Sequence, residues 1–190
     1  MQTSPIVRDV LDFWFGPVPG PARKAWFVKD PVFDESIRAR FLELHNAARL
    51  GGLADWTNEP RSALALVIVT DQFPRNLFRG SPRAFETDAL ALATAKHVID
   101  KRWDLEMKPI ERSFVYLPFE HSEVLAEQER SLELFAPLKA FPETADPDDY
   151  PKKHWVIVKR FGRFPHRNAA LGRPSTPEEI AFLKQPGSGF

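Results

Sequence analysis

Three short stretches concentrate side chains able to hold or move charge: TDQFPRN at 70–76, PFEHSE at 118–123 and RFGRFPHRN at 160–168. The first and third each follow an apolar run containing VIV and each carry an aromatic residue, a proline, an arginine and an asparagine. Core packing needs none of that polarity. Histidine is the side chain best suited to proton transfer near neutral pH, which makes His121, assisted by Asp71, the first candidate for a general base or acid. A guanidinium fork suits carboxylates and phosphates equally well, so Arg75, Arg79, Arg160, Arg163 and Arg167 are candidates for holding an anion. Gln72, Asn76, Gln128, His166 and Asn168 are further polar candidates around them.

Each of these residues also has a structural explanation. Asp71 falls in the last turn of a nearly all-apolar helix expected over 59–73, where the helix dipole disfavours a negative charge, so an Asp71–arginine ion pair satisfies it; Pro74 is expected to bend the chain between Asp71 and Arg75. An inward histidine is commonly a hydrogen-bonded core residue. Arg160, Arg163, Arg167 and Arg173 crowd a loop of like charges, which the acidic block from Glu120 to Asp149, nine acids against two basic residues, is placed to neutralise.

The elements that must position these residues are read from periodicity and from prolines that open helices rather than break them. Helices are expected near 5–15, 31–49, 59–73, 82–101, 109–117, 118–138, 148–161 and 176–184. With Pro118 in its first turn, the 118–138 helix sets His121, Val124, Leu125, Gln128, Leu132 and Phe135 within about 80° of one another, one buried stripe holding two polar residues, with Glu123 nearly opposite. Gly162 suits a left-handed C-cap, and Arg163 begins an irregular segment before Pro165. Thr176, Pro177 and Glu179 form a capping box for the last helix. The run ALALVIVT at 63–70 is compatible with a buried strand, but its helical neighbours and the lack of long period-2 alternation favour helix. The fold class is all-α, antiparallel helix pairs in a single domain over 1–190, with 185–190 a loose tail.

The 190 residues carry 26 basic and 26 acidic side chains, a balance that argues against a dedicated nucleic-acid or membrane-surface protein. Cysteine is absent, which removes disulfides, thiolate nucleophiles and Cys-ligated zinc. The start MQTSPIVRDVLDFWFG shows no secretory pattern and no apolar run is long enough for a membrane span, so the reducing cytoplasm is the expected compartment. HExxH, Glu-x-x-His, Gly-rich phosphate-loop and GxSxG patterns are missing, and Glu123 lies about 160° from His121 on a helical wheel, too far to share an ion. No metal and no cofactor is expected.

The motifs FWFG at 13–16, WF at 26–27 with FDESI following, LADW at 53–56, DQFPRNLFRG at 71–80, YLPFEHSE at 116–123 and LGRPSTPEE at 171–179 run almost end to end. Through them the chain resembles the bacterial domain-of-unknown-function family numbered 924. The resemblance implies a tetratricopeptide-like helical fold, implies no activity, and adds Glu123 to the candidates because it belongs to the HSE stretch. The expectation is a cationic, His-containing cleft for a small anionic ligand, with metal-independent acid–base catalysis as its possible use. The competing expectation is a non-catalytic helical-repeat-like module that binds an acidic peptide or protein partner.

Overall fold

A computed structural model describes residues 4–16, 23–26, 28–146 and 148–189; Phe27 of the WF pair and Phe190 of the tail fall outside them. Every regular element among the described residues is helical: α1 Pro5–Phe15, α2 Pro31–Arg49, α3 Pro60–Val67, α4 Phe73–Leu77, α5 Asp88–Asp100, α6 Pro109–Glu120, α7 Leu125–Phe135, α8 Tyr150–Phe161 and α9 Pro177–Leu183, linked by short 3₁₀ turns. Helices near in sequence pack on one another, α2 on α4, α5 on α6, α6 on α7 and α7 on α8, while α3 packs on α5.

Proline opens α1, α2, α3, α6 and α9, where its missing N–H is one of the helix-start orphans in any case. The α9 capping box forms as its residues dictate: Thr176 Oγ1 accepts from Glu179 N at 3.2 Å, and Thr176 N donates to Glu179 Oε2 at 2.7 Å. Gly162 ends α8 at φ 68°.

The apolar runs assemble two clusters. The larger is aromatic at its centre, where Trp14 lies 5.7 Å from both Phe73 and Phe114, and Phe41 stacks on Phe73 at 4.9 Å. Such pairs add to the burial of rings that are themselves large apolar surfaces. The smaller cluster is Ile157, Val158 and Phe164, with Phe161 and Phe182 packed against it.

The chain departs from the expected elements in three places. The 59–73 helix does not stop at Pro74: α3 and α4 are joined by a π turn at Ile68–Gln72, with helical backbone on both sides. Phe73 N reaches back to Ile68 O, and Pro74 has no N–H to give, so carbonyls in this turn look elsewhere for donors. Val69 O faces His45 Nδ1 at 3.1 Å, Thr70 O accepts from Thr87 Oγ1 at 2.6 Å, and Asp71 O accepts from the Arg75 guanidinium. Second, Pro118 lies inside α6 rather than opening a helix, and the 118–138 helix is divided: α6 ends at Glu120, the chain turns through 121–124, and α7 begins at Leu125. Third, the 82–101 segment is a 3₁₀ turn at Pro82–Phe85 followed by α5.

Candidate functional site

The π turn aims Asp71 into the protein. Its side chain is fully buried and meets His121, the residue that caps the C-terminus of α6. His121 Nδ1 lies 2.8 Å from Asp71 Oδ1 and 3.0 Å from Oδ2, Gln72 Nε2 donates to Oδ2 at 2.5 Å, and Arg75 Nη1 stands 3.4 Å from Oδ1. Burial by itself raises a carboxyl pKa; the Arg75 charge and the contacts from His121 and Gln72 reverse this and hold Asp71 at about 2. His121 is likewise held below its ordinary imidazole value, by burial and by Arg75 against the opposing pull of Asp71.

An ionised carboxylate only accepts, so Nδ1 carries the imidazole proton and Nε2 the lone pair. The His121 side chain keeps 15% of its surface, and Nε2 has no hydrogen-bond partner among the described residues. A carboxylate that fixes the tautomer and orientation of a neutral imidazole is the arrangement in which histidine serves as a general base.

Two arginines share one further carboxylate beside this pair. Arg75 clasps Asp88 through two bonds of 3.0 and 3.2 Å, and Arg167 Nη1 reaches Asp88 Oδ2 at 3.4 Å. Arg167 lies between the Phe85 and Phe164 rings, 4.8 and 4.5 Å from their centres, and its Nη2 donates to His121 O at 2.9 Å. Its Nε is buried without a partner. Burial and the nearby Arg75 lower Arg167 to about 10. His166 flanks the same loop, 5.5 Å from the Phe164 ring, and burial takes it down to about 4.

The stretches at 70–76, 118–123 and 160–168 thus meet through Asp71, Gln72, Arg75, His121 and Arg167, at the seam between the large apolar cluster and the small one. Other candidates lie apart. Asn76 and Arg79 bind Asp34, the arginine through two bonds of 2.7 and 2.9 Å. Arg160 pairs with Glu178 and Arg163 with Glu179, while Asn168 donates to Glu179 and Ser175. The acidic block at 120–149 was expected to neutralise that loop; the acids that do so for Arg160 and Arg163 come instead from α9, which the chain folds back beside α8.

Glu123 is not directed away from this region. In the turn after α6 it takes Arg173 in two bonds of 2.7 and 2.9 Å and accepts from Phe164 N at 2.7 Å, locking the HSE turn to the arginine loop. Gln128 is fully buried as expected, but from α7 rather than from a helix shared with His121, and Val124 and Leu125, placed on a buried stripe by the single-helix reading, are exposed.

Three groups of the region escaped sequence reasoning. Asp88 opens α5, where an acid is explained by the helix dipole alone. Glu120, which a helix over 118–138 would put in its first turn, where the dipole favours an acid, instead ends α6, 3% exposed and beside His154. His154 shows the periodicity of a core face of α8, and nothing in its own neighbourhood of sequence pairs it with residue 120. Among the described residues no three His, Asp or Glu side chains are grouped so as to hold a metal ion, and no helix is long and apolar enough to cross a membrane.

Compared with known proteins, the chain resembles the solved structure of a protein of unknown function from Agrobacterium tumefaciens, at 39% sequence identity and a TM-score of 0.86 over 96% of this chain and 99% of that one. No curated protein matches. The family model for bacterial proteins of unknown function DUF924 matches residues 10–187, so the chain belongs to that family.

Proposed function

We propose that the chain is an acid–base enzyme in which His121 Nε2 takes a proton from a small substrate bearing a carboxylate or phosphate. One observation supports this above the others: the buried, ionised Asp71 holds His121 Nδ1 at 2.8 Å, leaving Nε2 without a protein partner on a side chain that still meets solvent. A proton taken up at Nε2 makes an imidazolium directly against the Asp71 carboxylate, which stabilises the charge as it forms. Arg167, with an unmatched Nε, a bond to the His121 carbonyl and only a long contact of 3.4 Å to the Asp88 carboxylate that Arg75 already clasps, is the group suited to orient the anionic end of the substrate. The acidic-peptide reading draws no support from Arg79, Arg160, Arg163 or Arg173, because each already engages a carboxylate.

The test is proton exchange. The protein is incubated in deuterated water with a panel of 2-oxo acids, dicarboxylates and phosphorylated hydroxy acids, and loss of substrate C–H signal is followed by NMR. Exchange by the wild type that falls at least a hundredfold in His121→Gln is the expected outcome. Equal exchange by the variant removes His121 from the role. An absence of exchange and of binding across the panel defeats the enzyme reading.

A further inference from the structure

Two arginines from distant parts of the chain meet on one carboxylate beside the turn that carries His121. Arg75 belongs to α4 and Arg167 to the short turn after α8, and the group they share is Asp88, the first residue of α5. Arg75 takes it in a fork, Nη1 to Oδ1 at 3.0 Å and Nη2 to Oδ2 at 3.2 Å, while Arg167 Nη1 reaches Oδ2 only at 3.4 Å.

We infer that this pair of guanidinium groups is the carboxylate subsite of the protein and that Asp88 is its resting occupant, displaced when the carboxylate of a substrate enters. The inference rests on the acid–base reading above and narrows its substrates from anions in general to carboxylates.

Neither arginine depends on Asp88 for its position. Arg75 also donates to Asp71 O and stands 3.4 Å from Asp71 Oδ1. Arg167 donates to His121 O at 2.9 Å and packs on the rings of Phe85 and Phe164. Withdrawal of the Asp88 side chain therefore leaves two anchored guanidinium groups, and donors already gathered bind an anion without the cost of ordering them. Arg75 touches the carboxylate that orients His121, and Arg167 holds the carbonyl of His121, so whatever the pair anchors is kept at the turn that carries the histidine.

Asp88 fills this place imperfectly. Charge-assisted N–H···O bonds settle at about 2.7–2.9 Å, and the Arg167 contact is longer. The chain just before Asp88 is pinned, Thr87 Oγ1 to Thr70 O at 2.6 Å, which limits how far the carboxylate can follow. Arg167 Nε meanwhile has no acceptor, although only 8% of that side chain is exposed. A carboxylate free of the α5 backbone can approach Arg167 more closely. Asp88 also has a way out: 23% of its side chain meets solvent, against 0% for Asp71. No side chain caps the N-terminus of α5, so the displaced carboxylate stays at the positive end of its own helix, which lowers the cost of the exchange.

Charge selects the class of ligand. Arg75 and Arg167 balance Asp71 and Asp88 around a neutral His121. With Asp88 displaced, one positive charge is left over, which one carboxylate matches and a phosphate dianion exceeds. The planar fork of Arg75 already accepts a planar carboxylate in two bonds.

The experiment titrates sodium acetate into the full chain, wild type and Asp88→Ala, with sodium chloride at matched ionic strength as the control. NMR reads the ring nitrogens of His121 in both proteins and the Asp88 carboxyl carbon in the wild type. The expected result is saturable acetate binding that is tighter by about tenfold or more in Asp88→Ala, because the wild type offers an empty subsite only part of the time. His121 signals shift along the same curve, and the wild-type Asp88 carbon responds to acetate and not to chloride. Acetate that acts on Asp88→Ala no more than chloride does, or binds both proteins equally, overturns the inference. Inorganic phosphate at about pH 8, where it is a dianion, should bind Asp88→Ala more weakly than acetate, and tighter phosphate binding overturns the choice of carboxylate. Should Asp88→Ala fail to fold, the wild-type Asp88 carbon decides alone, a flat acetate curve counting against the inference. Acetate is bound without turnover, so a failed proton-exchange assay with a positive titration removes the acid–base reading and leaves a carboxylate site, whereas exchange with a negative titration removes only the subsite.

Discussion

Gln128 brackets His121 from a different helix. Its amide nitrogen donates to Glu120 O at 2.5 Å and to Ser122 O at 2.7 Å, the carbonyls immediately before and after the histidine. The last carbonyls of a helix lack intrahelical donors, and here a fully buried side chain from α7 supplies them. The turn that carries His121 is therefore fixed by α7, while Arg167 holds its own carbonyl from the opposite end of the chain.

Replacing Gln128 by Leu keeps the apolar volume but leaves the two carbonyls buried without donors. A stability loss of about 2–4 kcal/mol follows, because an unmatched buried acceptor incurs its desolvation penalty in full. Urea denaturation measures it. Since Gln128 Oε1 is itself buried without a partner in the wild type, the loss falls at the lower end of that range. A variant as stable as wild type would show that the turn finds other donors.

The helices and most of their boundaries were legible from prolines, caps and 3.6-residue spacing, since those are local properties of the chain. Two misreadings share one cause. Pro74 was taken to bend the chain and Pro118 to start a helix, yet both sit within helical backbone, and at Pro74 a distant group deals with the hydrogen bond that proline removes. Thr87 serves the carbonyl that Pro74 cannot, 17 residues away in sequence. The pairing of His121 with Asp71 spans 50 positions, and no spacing rule reaches that far. Composition picked out both residues as polar exceptions in apolar runs, but only packing joins them. Asp88 and Glu120 were hidden for a different reason: the helix expected over 82–101 put Asp88 beyond its first turn, with nothing to single it out, and the helix expected over 118–138 gave Glu120 an adequate local explanation in its dipole.

Asp71 should leave a measurable mark on acid stability. Its carboxyl is held at about 2 in the fold against an ordinary value of 3.8, so the folded state binds that proton more weakly than the unfolded chain. The sign follows from linkage: the contribution is complete above about pH 4 and is lost as pH falls towards 2. The shift corresponds to about 2 kcal/mol. In Asp71→Asn this part of the acid limb disappears, so the stability gap between wild type and variant narrows by about that amount between pH 6 and pH 2. Paired denaturation curves cancel the other depressed carboxyls, Glu179 and Glu123 among them, which both proteins share. A gap that stays constant with pH would mean that Asp71 does not titrate as its surroundings require.

Arg75 and Arg79 stand four residues apart with the same side chain, and their substitution should have opposite consequences for the site. Arg79 is exposed and holds Asp34 at the surface, so Arg79→Ala should change stability by no more than about 1 kcal/mol and leave the His121 titration where it was. Arg75 lies against both Asp71 and Asp88, and its removal leaves a fully buried carboxylate with one charged neighbour fewer. Loss of a partner from such a pair costs about 3 kcal/mol. It also takes away a positive charge that holds His121 below its ordinary value, so the His121 midpoint should move up in Arg75→Ala as imidazolium and Asp71 carboxylate pair directly. Histidine ring NMR on the two alanine variants separates these outcomes: a rise confined to Arg75→Ala places the electrostatic control of His121 in the π-turn region, whereas equal titrations in both would remove Arg75 from that control.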